Sequence, residues 1–235
     1  MRGWYCTVLR EEIDTTERSD LHYVLDADGK PKRYKAWLSD RLAFLYDWIM
    51  EHNVLPKVLS GDLAAHLDAL RRILSEVRGQ RVLDVGAGTG NIATCLPTDN
   101  EYWGVDVSPG LLRRAHRRLT RAGFHPCELY VTPAGDLPFA DGAFDVLLCN
   151  LTLNFVTDLE VALREWRRVL QPRGEAFCSV PVPERNARGA KINGALRPEA
   201  ELREAAQRCG FAMETLDVEN GTILYFRLSP APSPR

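Results

Sequence analysis

The sequence predicts a doubly wound α/β domain, a mostly parallel sheet with helices on both faces and an antiparallel last strand. Three observations carry that expectation. Short apolar runs near residues 81–85, 101–105, 128–132, 144–150 and 175–181 alternate with segments of helical periodicity, and such alternation builds parallel sheets whose crossover helices cover both faces. The last two apolar runs, about 213–218 and 222–228, are joined through Glu219-Asn220-Gly221 without a helix. Asn-Gly favours a tight hairpin, so the final strand runs antiparallel. A chain of 235 residues is also the size of one sizeable α/β domain.

Residues 1 to about 35 are polar, mixed in charge and without sustained periodicity, which predicts an irregular arm with a turn at Asp28-Gly29. Helical spacing of Leu38, Leu42, Leu45, Trp48 and Ile49 predicts a helix over about 36–52, with Pro56 beyond its end. Asp62 caps a second helix, whose stripe Leu63, Leu67, Leu70, Leu74 and Val77 runs until Gly79. Ser108-Pro109 starts one crossover helix. Asp158 starts another, stopped by Pro172-Arg173-Gly174, and a last helix spans about 197–209. Three prolines between Ser229 and Arg235 predict a disordered tail.

Composition narrows the function. With 45% hydrophobic and 26% charged residues the chain is an ordinary globular protein, and a net charge of −2 gives no global field for nucleic acid or acidic membranes. The six cysteines are dispersed, with neither C-x-x-C pairs nor clustered histidines, so no metal is implied and free thiols in a reducing, cytoplasmic setting are expected. No secretory signal and no membrane span is read in the chain.

The chemistry concentrates in Val82-Leu83-Asp84-Val85-Gly86-Ala87-Gly88-Thr89-Gly90, an apolar strand running into glycines and then a helix, where glycine lets a ligand approach the backbone. Twenty residues after Gly86, the next strand ends in Asp106, placed to accept hydrogen bonds from both ribose hydroxyls of a nucleoside. A dinucleotide fingerprint would need a third glycine where Asn91 stands. The spacing therefore favours S-adenosylmethionine, which has no pyrophosphate to seat.

From Arg81 to Pro181 the chain resembles the class I S-adenosylmethionine-dependent methyltransferases, most of all the small-molecule enzymes of the ubiquinone and menaquinone type. Asp84 through Gly90 is similar to the family's first motif, and Asp106 to its ribose-binding acid. Leu137-Pro138-Phe139 with Phe144-Asp145-Val146 resembles the approach to the fourth strand, and Leu170-Gln171-Pro172-Arg173-Gly174 the turn before the fifth. The resemblance implies a Rossmann-like sheet of seven strands with the last inserted antiparallel. It places the donor's amino-acid part on Asp84, Gly86, Ala87, Gly88, Thr89, Gly90 and Asn91, and the ribose on Asp106. It adds Val107, Ala134, Gly135, Asn150 and Leu151 to the donor-binding set. Pro133 stands where such enzymes often carry an adenine-binding aspartate, which leaves the adenine to the Ala134 N–H, with Asp136 as a substitute.

By the same resemblance, residues 1–79 form an arm and helices that cap the acceptor, 80–228 the donor-binding domain and 229–235 a tail. Tyr46-Asp47 resembles an N-terminal element that closes over the donor, which makes Tyr46 a catalytic candidate; separately, His52 and His66 are candidate bases on the two helices, His52 the one taken as the second catalytic candidate. Asn150-Leu151-Thr152-Leu153 is not the Asn/Asp-Pro-Pro-Tyr run of amino-nitrogen methylation. Arg113, Arg114, Arg117, Arg118 and Arg121 read as a solvated helix face, and Arg185, Arg188 and Lys191 as a solvated loop, with a grip on an acidic acceptor as the alternative. The expected activity is in-line methyl transfer to a small-molecule acceptor, where alignment alone supplies roughly 7–11 kcal/mol. A scaffold subunit that binds the donor without chemistry, or a protein or lipid methyltransferase, are the alternatives.

Overall fold

The computed structural model describes residues 8–32, 34 and 43–231; the side chains of residues 43, 44 and 46 lie outside the described set, as do Leu38, Leu42 and Cys6. The strands are β1 (Thr15–Arg18), β2 (Leu21–Val24), β3 (Arg81–Val85), β4 (Glu101–Asp106), β5 (Cys127–Val131), β6 (Phe144–Asn150), β7 (Leu170–Pro181), β8 (Phe211–Thr215) and β9 (Ile223–Pro230). They form one sheet in the order β1-β2-β5-β4-β3-β6-β7-β9-β8. Strands β5, β4, β3, β6 and β7 are parallel, and β9 lies antiparallel between β7 and β8. The order reverses at β3, and the crevice at the carboxyl ends of strands beside such a reversal is where open α/β sheets bind ligands.

Among the described residues the α-helices are α1 (Ala43–Ile49), α2 (Leu63–Ile73), α3 (Pro109–Ala122), α4 (Leu159–Val169) and α5 (Glu199–Arg208). Three begin as their sequence predicts. Asp62, Ser108 and Asp158 each turn a side-chain oxygen back to accept a backbone N–H of the first turn, from Ala65, Leu111 and Val161. Pro109 occupies the first turn of α3, and Gly123 ends it at φ 99°.

Strand alternation sorts the core. Leu83, Val85, Trp103 and Val105 face one way, under Leu163 and Trp166 of α4 and Leu202 of α5. Val82, Tyr102, Val146 and Leu148 face the other, under Leu70 of α2, its C-cap Leu74, and Leu112 and Leu119 of α3. Asp84 shares that second face, next to Tyr102.

Several expectations are corrected. The sheet has nine strands rather than seven, because part of the supposedly irregular arm is a hairpin, β1–β2, with β2 pairing parallel to β5. Its turn residues Ser19 and Asp20 both have positive φ, 51° and 61°, a conformation usually signalled by glycine or asparagine. Pro56 does not follow the first helix but lies inside a wider π-helical continuation, Met50–Val58, which closes with the Leu59 N–H on Val54 O. On α1 itself, Leu45 and Trp48 are exposed, so the apolar stripe is not its buried face.

The Pro172-Arg173-Gly174 stop is a bulge within β7, where the register with β6 jumps from Phe144↔Leu170 to Val146↔Glu175. The tail expected to be disordered begins as strand, since β9 runs through Pro230 and the Ala231 N–H reaches Gly210 O. Among the described residues no helix is long and apolar enough to cross a membrane.

Candidate functional site

The glycine-rich turn leaves β3 at the order reversal. Gly86 (φ 77°) bends the chain so that its own N–H and that of Ala87 both donate to Val105 O of β4, at 2.8 and 3.0 Å. Gly90 (φ 74°) lets the turn abut α3, for a Cβ there would sit 2.9 Å from the Ala115 Cα. A Cβ on Gly88 would meet only Gly86 O, at 3.9 Å, so this side of the turn is open to a ligand. Beyond it the chain makes a four-residue 3₁₀ turn, Asn91–Thr94, where the sequence announced a helix.

Asp106 ends β4 beside this turn. Its Oδ2 accepts the Gly88 N–H at 3.0 Å and its Oδ1 the Ser108 N–H at 2.9 Å. The carboxylate is thus aimed by two backbone donors and remains partly exposed, with Val107 partly exposed after it. Such a group accepts hydrogen bonds from a vicinal diol. Asp84, by contrast, is buried behind the turn, where it accepts the Tyr102 hydroxyl at 2.7 Å. Burial pushes its carboxyl up to about 7, against the Tyr102 hydrogen bond and helped by the charge of Asp106.

The end of β6 forms the next wall. Asn150 Oδ1 accepts the Ser179 hydroxyl at 2.5 Å. Leu151 follows at φ 52°, a strained conformation for a non-glycine residue, and its N–H is held by Ser179 O. Thr152 then lies directly under Gly86. The segment after it is fastened from the C-terminal linker, where Arg197 donates to Leu153 O, Val156 O and Thr157 O and the Ala195 N–H reaches Asn154 O. Neither fastening was legible in the sequence.

Ala134 and Gly135 follow β5, and a Cβ on Gly135 would meet Val161 Cγ1 of α4 at 3.0 Å. Asp136 is taken by Lys32 Nζ at 3.0 Å, a partner supplied by the arm. His52 is exposed, hydrogen-bonded to Trp48 O and stacked on the Trp48 ring at 5.1 Å. Tyr46 stands on α1, its side chain outside the described residues. Arg185 does not reach for an acceptor: its guanidinium is spent on Val218 O and Ile223 O, while Arg188 and Lys191 are exposed.

His66 is buried, not catalytic surface. Its Nδ1 lies 2.6 Å from the Tyr225 hydroxyl, and burial lowers its pKa to about 4. Asn220 orients the pair, since its Oδ1 accepts the Asp62 N–H and its Nδ2 donates to Asp62 O and to the Tyr225 hydroxyl.

The arginine helix holds what sequence reasoning missed. Arg113, Arg117 and Arg121 are exposed as expected, but Arg114 and Arg118 turn inward and meet Asp47 of α1 at 3.3 and 2.7 Å. Arg118 also donates to Thr89 O, to Thr89 Oγ1 and to Asn91 Oδ1, and the Thr89 hydroxyl donates to Asp47 Oδ1 at 2.5 Å. The signal was the i, i+4 spacing of Arg114 and Arg118, whose partner only the tertiary structure supplies.

Comparison with known proteins places the chain in a family. Residues 83–178 match the family model for a methyltransferase domain, from the middle of β3 into β7. The chain is 31% identical over 215 residues to a malonyl-[acyl-carrier protein] O-methyltransferase of Halorhodospira halophila, covering 85% of this chain and 68% of that protein. It is 36% identical to a demethylmenaquinone methyltransferase of Clavibacter sepedonicus, over 67% of this chain and 63% of the relative. The chain thus spans about two thirds of these relatives' lengths.

A Thermotoga maritima structure described as an S-adenosylmethionine-dependent methyltransferase shares the fold, with a TM-score of 0.60 at 23% identity over 82% of this chain and 97% of the other. The open glycine turn, the aimed carboxylate beside it and these likenesses converge, and the chain belongs to the class I S-adenosylmethionine-dependent methyltransferases.

Proposed function

We propose that this methyltransferase transfers the methyl group of S-adenosylmethionine to a small-molecule acceptor, with Asp106 on the donor's ribose and the Gly86–Gly90 turn on its amino-acid part. The carrying observation is the pairing of the Gly88 N–H with Asp106 Oδ2, which puts the glycine turn and the carboxylate on one rim of the crevice. Ala134 and Gly135 form the adenine side, and Asn150 and Leu151 the wall toward the acceptor. The donor supplies an electrophilic methyl on a sulfonium sulfur. The chain's own residues bind it, hold its orientation and keep out water, which accounts for most of the catalysis such a displacement needs.

The relatives' names suggest an oxygen- or carbon-bearing acceptor with a carboxyl or quinone head. Exposed Trp48 and Phe155, on α1 and just after β6, supply apolar surface for it. Residues 1–79 are the acceptor side by this reading. The free thiols Cys95, Cys127, Cys149, Cys178 and Cys209 fit a reducing cytoplasm.

Calorimetry with S-adenosylmethionine and S-adenosylhomocysteine, with NAD as control, tests the donor site. Micromolar binding of the first two, lost in Asp106→Ala, is expected; an Asp106→Ala variant that binds the donor as tightly as wild type overturns the assignment. Formation of S-adenosylhomocysteine over a panel of free and thioester carboxylates and hydroquinones then identifies the acceptor.

A further inference from the structure

We infer that Arg118 is a positioning residue for the donor-binding turn, and that its pairing with Asp47 couples donor affinity to the N-terminal helix α1. The inference rests on the donor site proposed above.

One guanidinium makes four hydrogen bonds, and three of them land on the turn. Nη1 donates to Thr89 O at 3.0 Å, to Thr89 Oγ1 at 3.2 Å and to Asn91 Oδ1, while Nη2 donates to Asp47 Oδ2 at 2.7 Å. A planar fork satisfied in this way fixes the geometry of what it holds more tightly than an ammonium can. Thr89 is buried and closes the circuit, since its hydroxyl accepts from Arg118 and donates to Asp47 Oδ1. The Gly90–Ala115 contact presses the same helix, α3, against the same turn.

This is not a solvated ion pair. The Arg118 and Asp47 side chains are 33% and 25% exposed, and Arg114 adds a second cation to the same carboxylate oxygen at 3.3 Å. The hydrogen bonds from Thr89 and Arg118 outweigh burial and hold Asp47 below the usual carboxylate range, so it stays charged. Asp47 belongs to α1, whose neighbouring apolar side chains Leu45 and Trp48 are left exposed. The seating of α1 on the domain therefore leans on a carboxylate that shares its partners with the glycine turn. Two sites that share one network bias each other reciprocally: whatever orders Gly88–Asn91 steadies α1, and whatever steadies α1 orders the turn.

The test is a double-mutant cycle in S-adenosylhomocysteine affinity, measured by calorimetry on the full chain. Arg118→Met and Asp47→Asn are each expected to weaken binding by about tenfold, within the usual range of coupling between sites. The double variant should bind about as well as either single one, because both remove the same network. Arg118→Lys, which keeps the charge without the fork, should recover part of the loss. Hydrogen exchange across residues 43–58 should slow when S-adenosylhomocysteine binds to wild type and not when it binds to Arg118→Met, a response that a purely structural arginine would not produce. Donor affinity within twofold of wild type in Arg118→Met, alongside lost binding in Asp106→Ala, overturns the positioning role while leaving the donor site standing. Losses that multiply in the double variant overturn the coupling. Unchanged affinity in Asp106→Ala would instead remove the donor site itself.

Discussion

Gly86 lies against Thr152 so closely that a Cβ on the glycine would stand 2.2 Å from the threonine Cγ2, and the Thr152 hydroxyl donates to Gly86 O at 3.3 Å. This contact joins the turn after β3 to the turn after β6, the proposed donor and acceptor sides of the crevice.

Gly86→Ala should therefore fail for two separable reasons, a left-handed φ of 77° and a collision. Strain and overpacking of this kind cost about 1–3 kcal/mol each. Urea unfolding should show that loss, and Thr152→Gly in the same chain should recover the steric share but not the backbone share. Strictly additive losses in the double variant would show that the two residues do not collide.

Two buried groups shift in opposite senses and should mask each other in the pH dependence of stability. His66, lowered to about 4 from 6.5, contributes stability that is present above its unfolded pKa and lost as pH falls toward 4. Asp84, raised to about 7 from 3.8, contributes stability that is present at low pH and lost as pH rises through 7. Between about pH 5 and about pH 6.5 each accounts for about 2 kcal/mol with opposite sign. Wild type should be nearly flat over that window in the absence of donor, His66→Gln should lose stability as pH rises, and Asp84→Asn should gain it. Denaturant titrations at several pH values check the signs.

Arg197 holds the proposed acceptor wall and also pairs with Glu201 of α5 at 3.6 Å. Its side chain is 11% exposed and spans Leu153 O, Val156 O and Thr157 O. Arg197→Ala should raise the acceptor KM by about tenfold, the equivalent of one lost charge-assisted hydrogen bond, and leave donor affinity within about twofold of wild type. A matching loss of donor affinity would place the arginine in the donor site's support instead.

Arg168 staples the Leu137-Pro138-Phe139 run. It donates to Leu137 O and Phe139 O and pairs with Glu165, whose Oε2 in turn accepts the Leu137 N–H. Arg168→Ala should cost about 2–3 kcal/mol by urea unfolding, since it strands a half-buried carboxylate as well as two carbonyls.

Much of the fold was legible because local chemistry determines it. Asp62, Ser108 and Asp158 cap the helices they announce, and the apolar runs at 81–85 and 144–150 become β3 and β6 without adjustment. The glycine spacing and Asp106 were legible for the same reason, as a turn and a strand end carry their signals in adjacent residues. The β1–β2 hairpin was not. Four-residue strands are too short to show alternation, and their place in the sheet depends on β5, about a hundred residues later.

By itself, then, the sequence determined the alternating architecture, the helix starts, the glycine turn and the carboxylate at the end of β4, because each is written in residues close along the chain. The tertiary structure alone decided which of the five arginines on α3 turn inward, that Asp47 meets them, that Lys32 occupies Asp136 and that Arg197 grips the segment after β6. Those are pairings between groups far apart in sequence. Their partners are chosen by where the folded sheet and its helices bring them within hydrogen-bonding distance, which no local pattern encodes.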